Sequence, residues 1–232
     1  MTAEDRIRWD AIYRADESRP YPAPDPLLFE SVPEPDHDQA RALDFAGGVG
    51  QNGLWLAERG YTVDIVDVSR VALNRARKEM AARNLRQVNL LQMDVDVLID
   101  DLHLLTGQAG RTGPALSLHL DVAERHGLSL HEGGYDVVVV FRYLKRAMFP
   151  VLRDLVRPGG RVVYETFNRR YLQIVPQFNV EFLLGDGELP VAFPGWQVLH
   201  HSEDDHRTQF VAVKAGEDST DKSLSDDKEP QF

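Results

Sequence analysis

Apolar and polar positions alternate along this chain in two rhythms. Short, mostly apolar runs recur at Ala42–Ala46, Tyr61–Asp67, Gln87–Asp94, Tyr135–Phe141 and Arg161–Phe167. Runs of this kind, bounded by polar or glycine-rich breaks, read as strands. Between them apolar residues return at helical spacing. Ser69 caps a helix running to about Arg83, with Val71, Ala72, Ala76 and Met80 on its apolar side and Asn84 as a left-handed stop. Leu144–Val156 reads as another helix, which Pro150 kinks or divides. Tyr135–Phe141, YDVVVVF, lacks alternation, so it should lie in the middle of the sheet with both faces covered. Trp196–His201 and Thr208–Lys214, joined by the polar turn Glu203–His206, read as an antiparallel pair. Strands that alternate with helices mark a parallel sheet. The expected fold is α/β: a doubly wound sheet, mostly parallel with an antiparallel last strand, and helices on both faces.

The flanks and one internal stretch break the rhythm. Met1–Ala15 reads as a helix with Ile7, Trp9, Ile12 and Tyr13 as its apolar members. Ser18–Asp38 carries six prolines and must be extended. Residues 1–41 therefore form an N-terminal helix and connector, and residues 42–214 the main domain. Within it, residues 96–134 read as an insertion. Val97–Leu105 suits a helix, and Leu116, Leu118, Leu120 and Val122 alternate strictly with polar residues, as in an added β-hairpin. The tail, residues 215–232, holds six acids against two lysines and has no apolar periodicity, so it is expected to be disordered.

Bulk properties narrow the function. The 232 residues suffice for one well-buried domain. The net charge of −11 argues against a nucleic-acid partner, which usually leaves a basic footprint. Cysteine is absent, which removes disulfides, thiolate metal sites and cysteine nucleophiles. The opening MTAEDRIRWD lacks an apolar signal region, and no apolar run could span a bilayer. A cytoplasmic protein, monomeric or weakly dimeric, with no membrane partner is expected. His200, His201 and His206 with Asp204 and Asp205 lack a recognised ligand spacing and read as a polar hairpin turn, so no metal site is expected.

The candidate chemistry lies at ALDFAGGVGQNGLWLAERG, residues 42–60, a strand, a glycine turn and a helix start. Such a turn lets backbone approach a ligand, and the helix start offers free N–H groups. Gly48-Val49-Gly50-Gln51-Asn52-Gly53 matches the dinucleotide pattern G-x-G-x-x-G, and Asp67 closes the next strand. An NAD(P)-dependent oxidoreductase is therefore one reading, and a non-catalytic cofactor-binding protein another. Three carboxylates favour a different ligand. Asp44 lies inside the first strand, Asp67 ends the second and Asp94 ends the third, while no Lys or Arg lies between Leu43 and Glu58. A pyrophosphate would be repelled there, and a cationic sulfonium with an ammonium group would be attracted.

Asp44-Phe45-Ala46-Gly47-Gly48-Val49-Gly50 resembles the first motif of class I S-adenosylmethionine-dependent methyltransferases. The tellurite-resistance and thiopurine-type branch is the nearest in flavour, through Trp9-Asp10-Ala11-Ile12-Tyr13, the G-x-G-x-N helix start and Phe141-Arg142-Tyr143-Leu144. Arg157-Pro158-Gly159-Gly160 resembles the family's loop into its fifth strand. The resemblance runs from about Arg8 to Lys214. Gly48, Gln51 and Lys145 stand where Cys, Arg and His are common, which bears on the substrate. The resemblance implies a Rossmann-like sheet and S-adenosyl-L-methionine as cofactor. It implies contacts from Trp9, Asp44, Ala46, Gly47, Gly48, Gly50, Asn52, Asp67, Val68, Asp94, Val95 and Phe141. Asp44 would receive the ammonium group, Asp67 the ribose hydroxyls and Asp94 the adenine amino group, with the Val95 N–H donating to the ring. It also favours the N-terminal helix as a lid over plain packing at the domain edge.

Methyl transfer is an in-line displacement, for which the protein mainly aligns donor and acceptor. Arg142 and Tyr143 follow the fourth strand, where an acceptor would sit, and are the candidate catalytic residues. Either Arg142 or Arg146 would hold an anionic acceptor. Alternatively, Glu165 at the end of the neighbouring strand would pair with Arg142. Tyr164 and Glu165 are weaker candidates for the site. The chain has no D/N-P-P-Y/F run for a flipped base, which favours a small-molecule acceptor.

Overall fold

A computed structural model describes residues 3–94, 97 and 134–216. Helix α1 (Ala3–Ala15) and the short α2 (Leu27–Ser31) precede the sheet. Then come β1 (Arg41–Phe45), α3 (Gln51–Glu58), β2 (Thr62–Asp67), α4 (Arg70–Ala82) and β3 (Val88–Gln92). The remaining elements are β4 (Tyr135–Phe141), α5 (Met148–Leu155), β5 (Val156–Phe167), α6 (Glu188–Ala192), β6 (Gln197–Ser202) and β7 (Arg207–Val213). Two 3-10 turns, Arg169–Gln173 and Val180–Phe182, fill the link after β5. The expected insertion, its hairpin, Val95 and nearly all of the tail lie outside the described residues.

Among the described residues seven strands form one sheet in the order β3-β2-β1-β4-β5-β7-β6. Strands β1 to β5 pair in parallel. The chain's last strand, β7, inserts between β5 and β6 and runs antiparallel to both. This is the expected Rossmann-like sheet with its antiparallel last strand.

Strand β4 is buried at every residue. Val138 and Val140 face one core, with Met148 and Leu152 of α5 and Leu189 of α6. Val137 and Val139 face the other, with Leu54 of α3, Leu73 of α4 and Leu28 of α2. Burying each valine contributes roughly 1.5–3 kcal/mol, so both faces must be apolar for the strand to sit there. That explains the continuous YDVVVVF.

Several boundaries differ from expectation. Helix α5 begins at Met148 rather than Leu144, and Pro150 is its third residue. In the first turn a missing N–H costs nothing, so Pro150 neither kinks nor divides the helix. Strand β5 starts at Val156, and a bulge opposite Tyr135–Val137 absorbs Arg157–Gly160. Strand β3 stops at Gln92, so Asp94 stands two residues beyond its end.

Candidate functional site

A cavity of about 430 Å³ opens at the carboxyl ends of β1, β2 and β4, where the strand order reverses. Ligands of open parallel sheets bind at this point. Its floor is the glycine turn. Gly47 donates to the Val66 carbonyl at 2.9 Å, which ties the turn to β2. A Cβ at Gly47 would lie 2.7 Å from the Asp44 carboxyl carbon. Gly48 has φ of +58°, and a Cβ there would lie 2.6 Å from the Tyr13 hydroxyl. The turn is thus pressed between a buried acid below and the N-terminal helix above. Ala46 and Arg142, at the ends of the adjacent strands β1 and β4, also have positive φ, 56° and 57°. Such a backbone is costly for residues with a side chain, and it re-aims both strand ends around the cavity.

The two acids are held differently. Asp44 Oδ2 accepts the Gly53 N–H at 2.8 Å, while its buried Oδ1 has no partner. Burial is the main reason that its pKa rises to about 7; the Gly53 bond lowers it and the nearby Asp67 charge raises it. Both oxygens of Asp67 are engaged: Oδ2 accepts from Gly48 N–H at 2.8 Å and Oδ1 from Ser69 N–H at 2.7 Å. Burial raises its pKa to about 6 against those bonds. A carboxylate oxygen has more than one acceptor direction, so Asp67 still has capacity for hydroxyls.

The structure brings most of the sequence-derived residues together. Asp44, Ala46, Gly47, Gly48, Asp67 and Val68 line the cavity from β1, β2 and the residues that follow them, and Asn52 from the first turn of α3. Phe141, Arg142 and Tyr143 line it from β4, and Trp9 from α1. Two residues depart. Gly50 is not in the wall: it stands at φ +82° before α3, where a Cβ would lie 3.1 Å from Ile65 Cδ1, so it serves helix-on-strand packing. Asp94 is not in the wall either; burial first, then the Asp94 charge, raises the pKa of Tyr143.

The pairing of Arg142 with Glu165 does not occur between side chains. Glu165 is fully buried, and its oxygens accept from Arg207 Nη1 at 2.8 Å and Gln209 Nε2 at 2.7 Å. Only the Arg142 backbone N–H reaches the Glu165 carbonyl, at 2.7 Å. The Arg142 side chain is exposed at the cavity. Arg146 is no acceptor ligand either: it holds Glu188 and the carbonyls of Glu181 and Leu183, clamping the β5–β6 link. Tyr164 supports the site indirectly, its hydroxyl donating to the Tyr143 carbonyl at 2.7 Å.

The proline-rich connector, which as an extended surface segment could form part of a substrate wall, supplies wall residues that no motif singled out. Tyr21 donates to the Val49 carbonyl at 2.6 Å, and Asp25 N–H donates to Asn52 Oδ1 at 2.9 Å. Arg75 of α4 donates to the carbonyls of Asp16, Arg19 and Pro20. These bonds draw Asp16, Arg19, Pro20 and Pro22 into the cavity wall. No local pattern marks them, because every contact joins residues 27 to 59 positions apart. Away from the cavity, the amino end of β4 brings Asp36, His37 and Asp136 within ligating distance of one another. Arg157 already pairs with Asp136 there, which makes the group an ion-pair cluster.

Comparison with known proteins agrees with this geometry. Residues 42–104 match the family model described as a methyltransferase domain. No curated protein matches the chain. Several solved structures share the fold. One, described as "Conversion of a Disulfide Bond into a Thioacetal Group during Echinomycin Biosynthesis", is 20% identical with a TM-score of 0.59 and covers 92% of this chain and 93% of its own. TehB from Haemophilus influenzae is 13% identical with a TM-score of 0.53, covering 75% of this chain and 58% of its own. The N-methyltransferase NodS from Bradyrhizobium japonicum WM9 is 11% identical with a TM-score of 0.52, covering 91% and 96%. At such identities the likeness is one of fold. The methyltransferase-domain match spans the glycine turn and the three carboxylates, and the sheet behind them has the fold that these structures share.

Proposed function

We propose that the chain methylates a small-molecule acceptor, with S-adenosyl-L-methionine as donor and the cavity at β1, β2 and β4 as the site. The observation that carries the reading is the unpaired, buried Oδ1 of Asp44 beneath the glycine turn. An orphan carboxylate oxygen is costly in a protein interior and calls for a donor. The ammonium group of the cofactor is such a donor, and no basic side chain lies in the turn to compete.

When bound, S-adenosylmethionine supplies a methyl group on a sulfonium, a carbon already activated for displacement. The residues present fit it. Asp44 would hold the ammonium, directly or through water. Asp67 would accept ribose hydroxyls on its remaining lone pairs while keeping Gly48 in place. Trp9 and Tyr13 would cover the site, and Asp94, which stands outside the present wall, is the acid that would meet the adenine. Arg142 and Tyr143 would hold the acceptor against the donor, so that binding supplies orientation rather than proton transfer. An exposed guanidinium at the cavity suits an acceptor with negative charge. In this reading residues 42–214 form the methyltransferase domain, residues 1–41 its lid and connector, and the insertion and acidic tail are appended to it. Among the described residues no helix is long and apolar enough to cross a membrane. A cytoplasmic monomer or weak homodimer accords with this reading.

Calorimetric titration with S-adenosylmethionine, S-adenosylhomocysteine and NADH tests it. Micromolar binding of the first two is expected. Binding of NADH alone would overturn it. A screen of anionic acceptors, including thiols and oxyanions of selenium and tellurium, would then identify the substrate.

A further inference from the structure

Helix α1 covers the cavity, yet it has little apolar hold on the domain. Ile7 and Ile12 are 64% and 43% exposed, and none of its described side chains is fully buried. What fixes the helix is polar. Asp10 Oδ1 accepts from Ser69 Oγ at 2.6 Å and from Val71 N–H at 3.2 Å, at the amino end of α4. Ser69 is itself bonded to the site, its N–H donating to Asp67 Oδ1 at 2.7 Å. Asp67 in turn holds Gly48, over which the Tyr13 hydroxyl of α1 is pressed. The chain of contacts Asp10–Ser69–Asp67–Gly48–Tyr13 thus leaves the helix and returns to it, passing through the acid assigned to the ribose.

We propose that Asp10 is a positioning residue: through Ser69 it latches α1 over the cavity, and so sets Trp9 and Tyr13 against the cofactor. Asp10 is not itself a residue of the cavity wall. Its neighbours Trp9 and Tyr13, one residue before and three after, share a helix face with that wall, so a latch between them fixes both. Because the latch ends on the same serine that bonds Asp67, the lid is held at the point where the cofactor is held. The inference rests on the cofactor reading above only for its consequence on affinity; the latch itself is a property of the protein alone.

The test uses the full chain and two substitutions. Asp10→Ala removes the latch, while Asp10→Asn removes the charge and keeps an oxygen that accepts from Ser69 and Val71. The expected result is a weakening of S-adenosylhomocysteine binding by about tenfold or more in Asp10→Ala and by no more than about threefold in Asp10→Asn. Amide hydrogen exchange over residues 3–20 should quicken in Asp10→Ala without change in the strands, and the melting temperature should hold. Equal losses in the two variants would show a charge effect rather than a latch and overturn the proposal. So would wild-type exchange over residues 3–20 in Asp10→Ala. If the wild type bound no S-adenosyl compound, the cofactor reading would fail, and the exchange pattern would still decide for or against the latch.

Discussion

Asp67 grips Gly48. The carboxylate that ends β2 accepts the N–H of the glycine turn after β1 at 2.8 Å, across 19 residues of sequence. One acid therefore shapes the cradle and, in the proposed function, also meets the ligand.

Asp67→Ala is accordingly expected to act twice. It removes the ligand contact and frees the N–H groups of Gly48 and Ser69, each charge-assisted bond being worth on the order of 1.5–3 kcal/mol. S-adenosylhomocysteine affinity should fall by at least about tenfold. The melting temperature should fall modestly, since the strand cores are untouched. Calorimetry and thermal melts measure the two effects; unchanged affinity would reduce Asp67 to a scaffold for the turn.

The pH dependence of Asp44 has opposite signs for binding and for stability. Burial raises its folded pKa from 3.8 to about 7. The folded protein then holds this proton more tightly than the unfolded chain. The resulting stability is fully present below about pH 4 and is lost as pH rises through about 7. If Asp44 holds the ammonium group as proposed, binding needs the charged carboxylate, so affinity should instead fall as pH drops below 7, approaching tenfold per unit. Asp44→Asn should remove the part of both profiles centred near pH 7 and leave the part due to Asp67, whose pKa burial raises to about 6. Titrations and melts from pH 5.5 to 8.5 decide this, and an affinity independent of pH would refute the ammonium role.

Arg142→Ala should cut turnover by more than about tenfold while leaving cofactor affinity within about twofold. Stability should not change, because the side chain is exposed and Glu165 is neutralised by Arg207 instead. Alanine is the informative choice: it keeps the Cβ and therefore the backbone cost of φ 57°, which glycine would relieve. Normal turnover on every accepted substrate would make Arg142 a solvated loop residue.

Arg207→Met should destabilise the fold by about 2 kcal/mol, since it strips a buried carboxylate of one of its two partners. The double variant Arg207→Met with Glu165→Gln should regain much of that loss, because the uncompensated charge is gone. Denaturant unfolding of the pair and the single variants measures it. Additive losses would mean that the two side chains are not coupled.

The parallel run of the strands and the central place of β4 were legible in the sequence. Each depends on local periodicity and on the length of the apolar runs, which neighbouring residues carry by themselves. The glycine turn and Asp44 were legible for a related reason: a close backbone turn demands glycine, and an acid inside an apolar strand demands a role. Other features were beyond reach. Nothing near Pro150 says that it falls in a first turn, since that depends on where the loop after β4 ends. Arg142 and Glu165 sit at adjacent strand ends and carry opposite charges, yet β7 delivers Arg207 and Gln209 to the same carboxylate and wins it. Asp10 stands in the sequence only as a member of the Trp9–Tyr13 motif, and its partner Ser69 comes from the fold. Periodicity is a property of the chain's own neighbours, so sequence determined the scaffold. Which charges meet is a matter of long-range approach, so only the tertiary structure decided the partners.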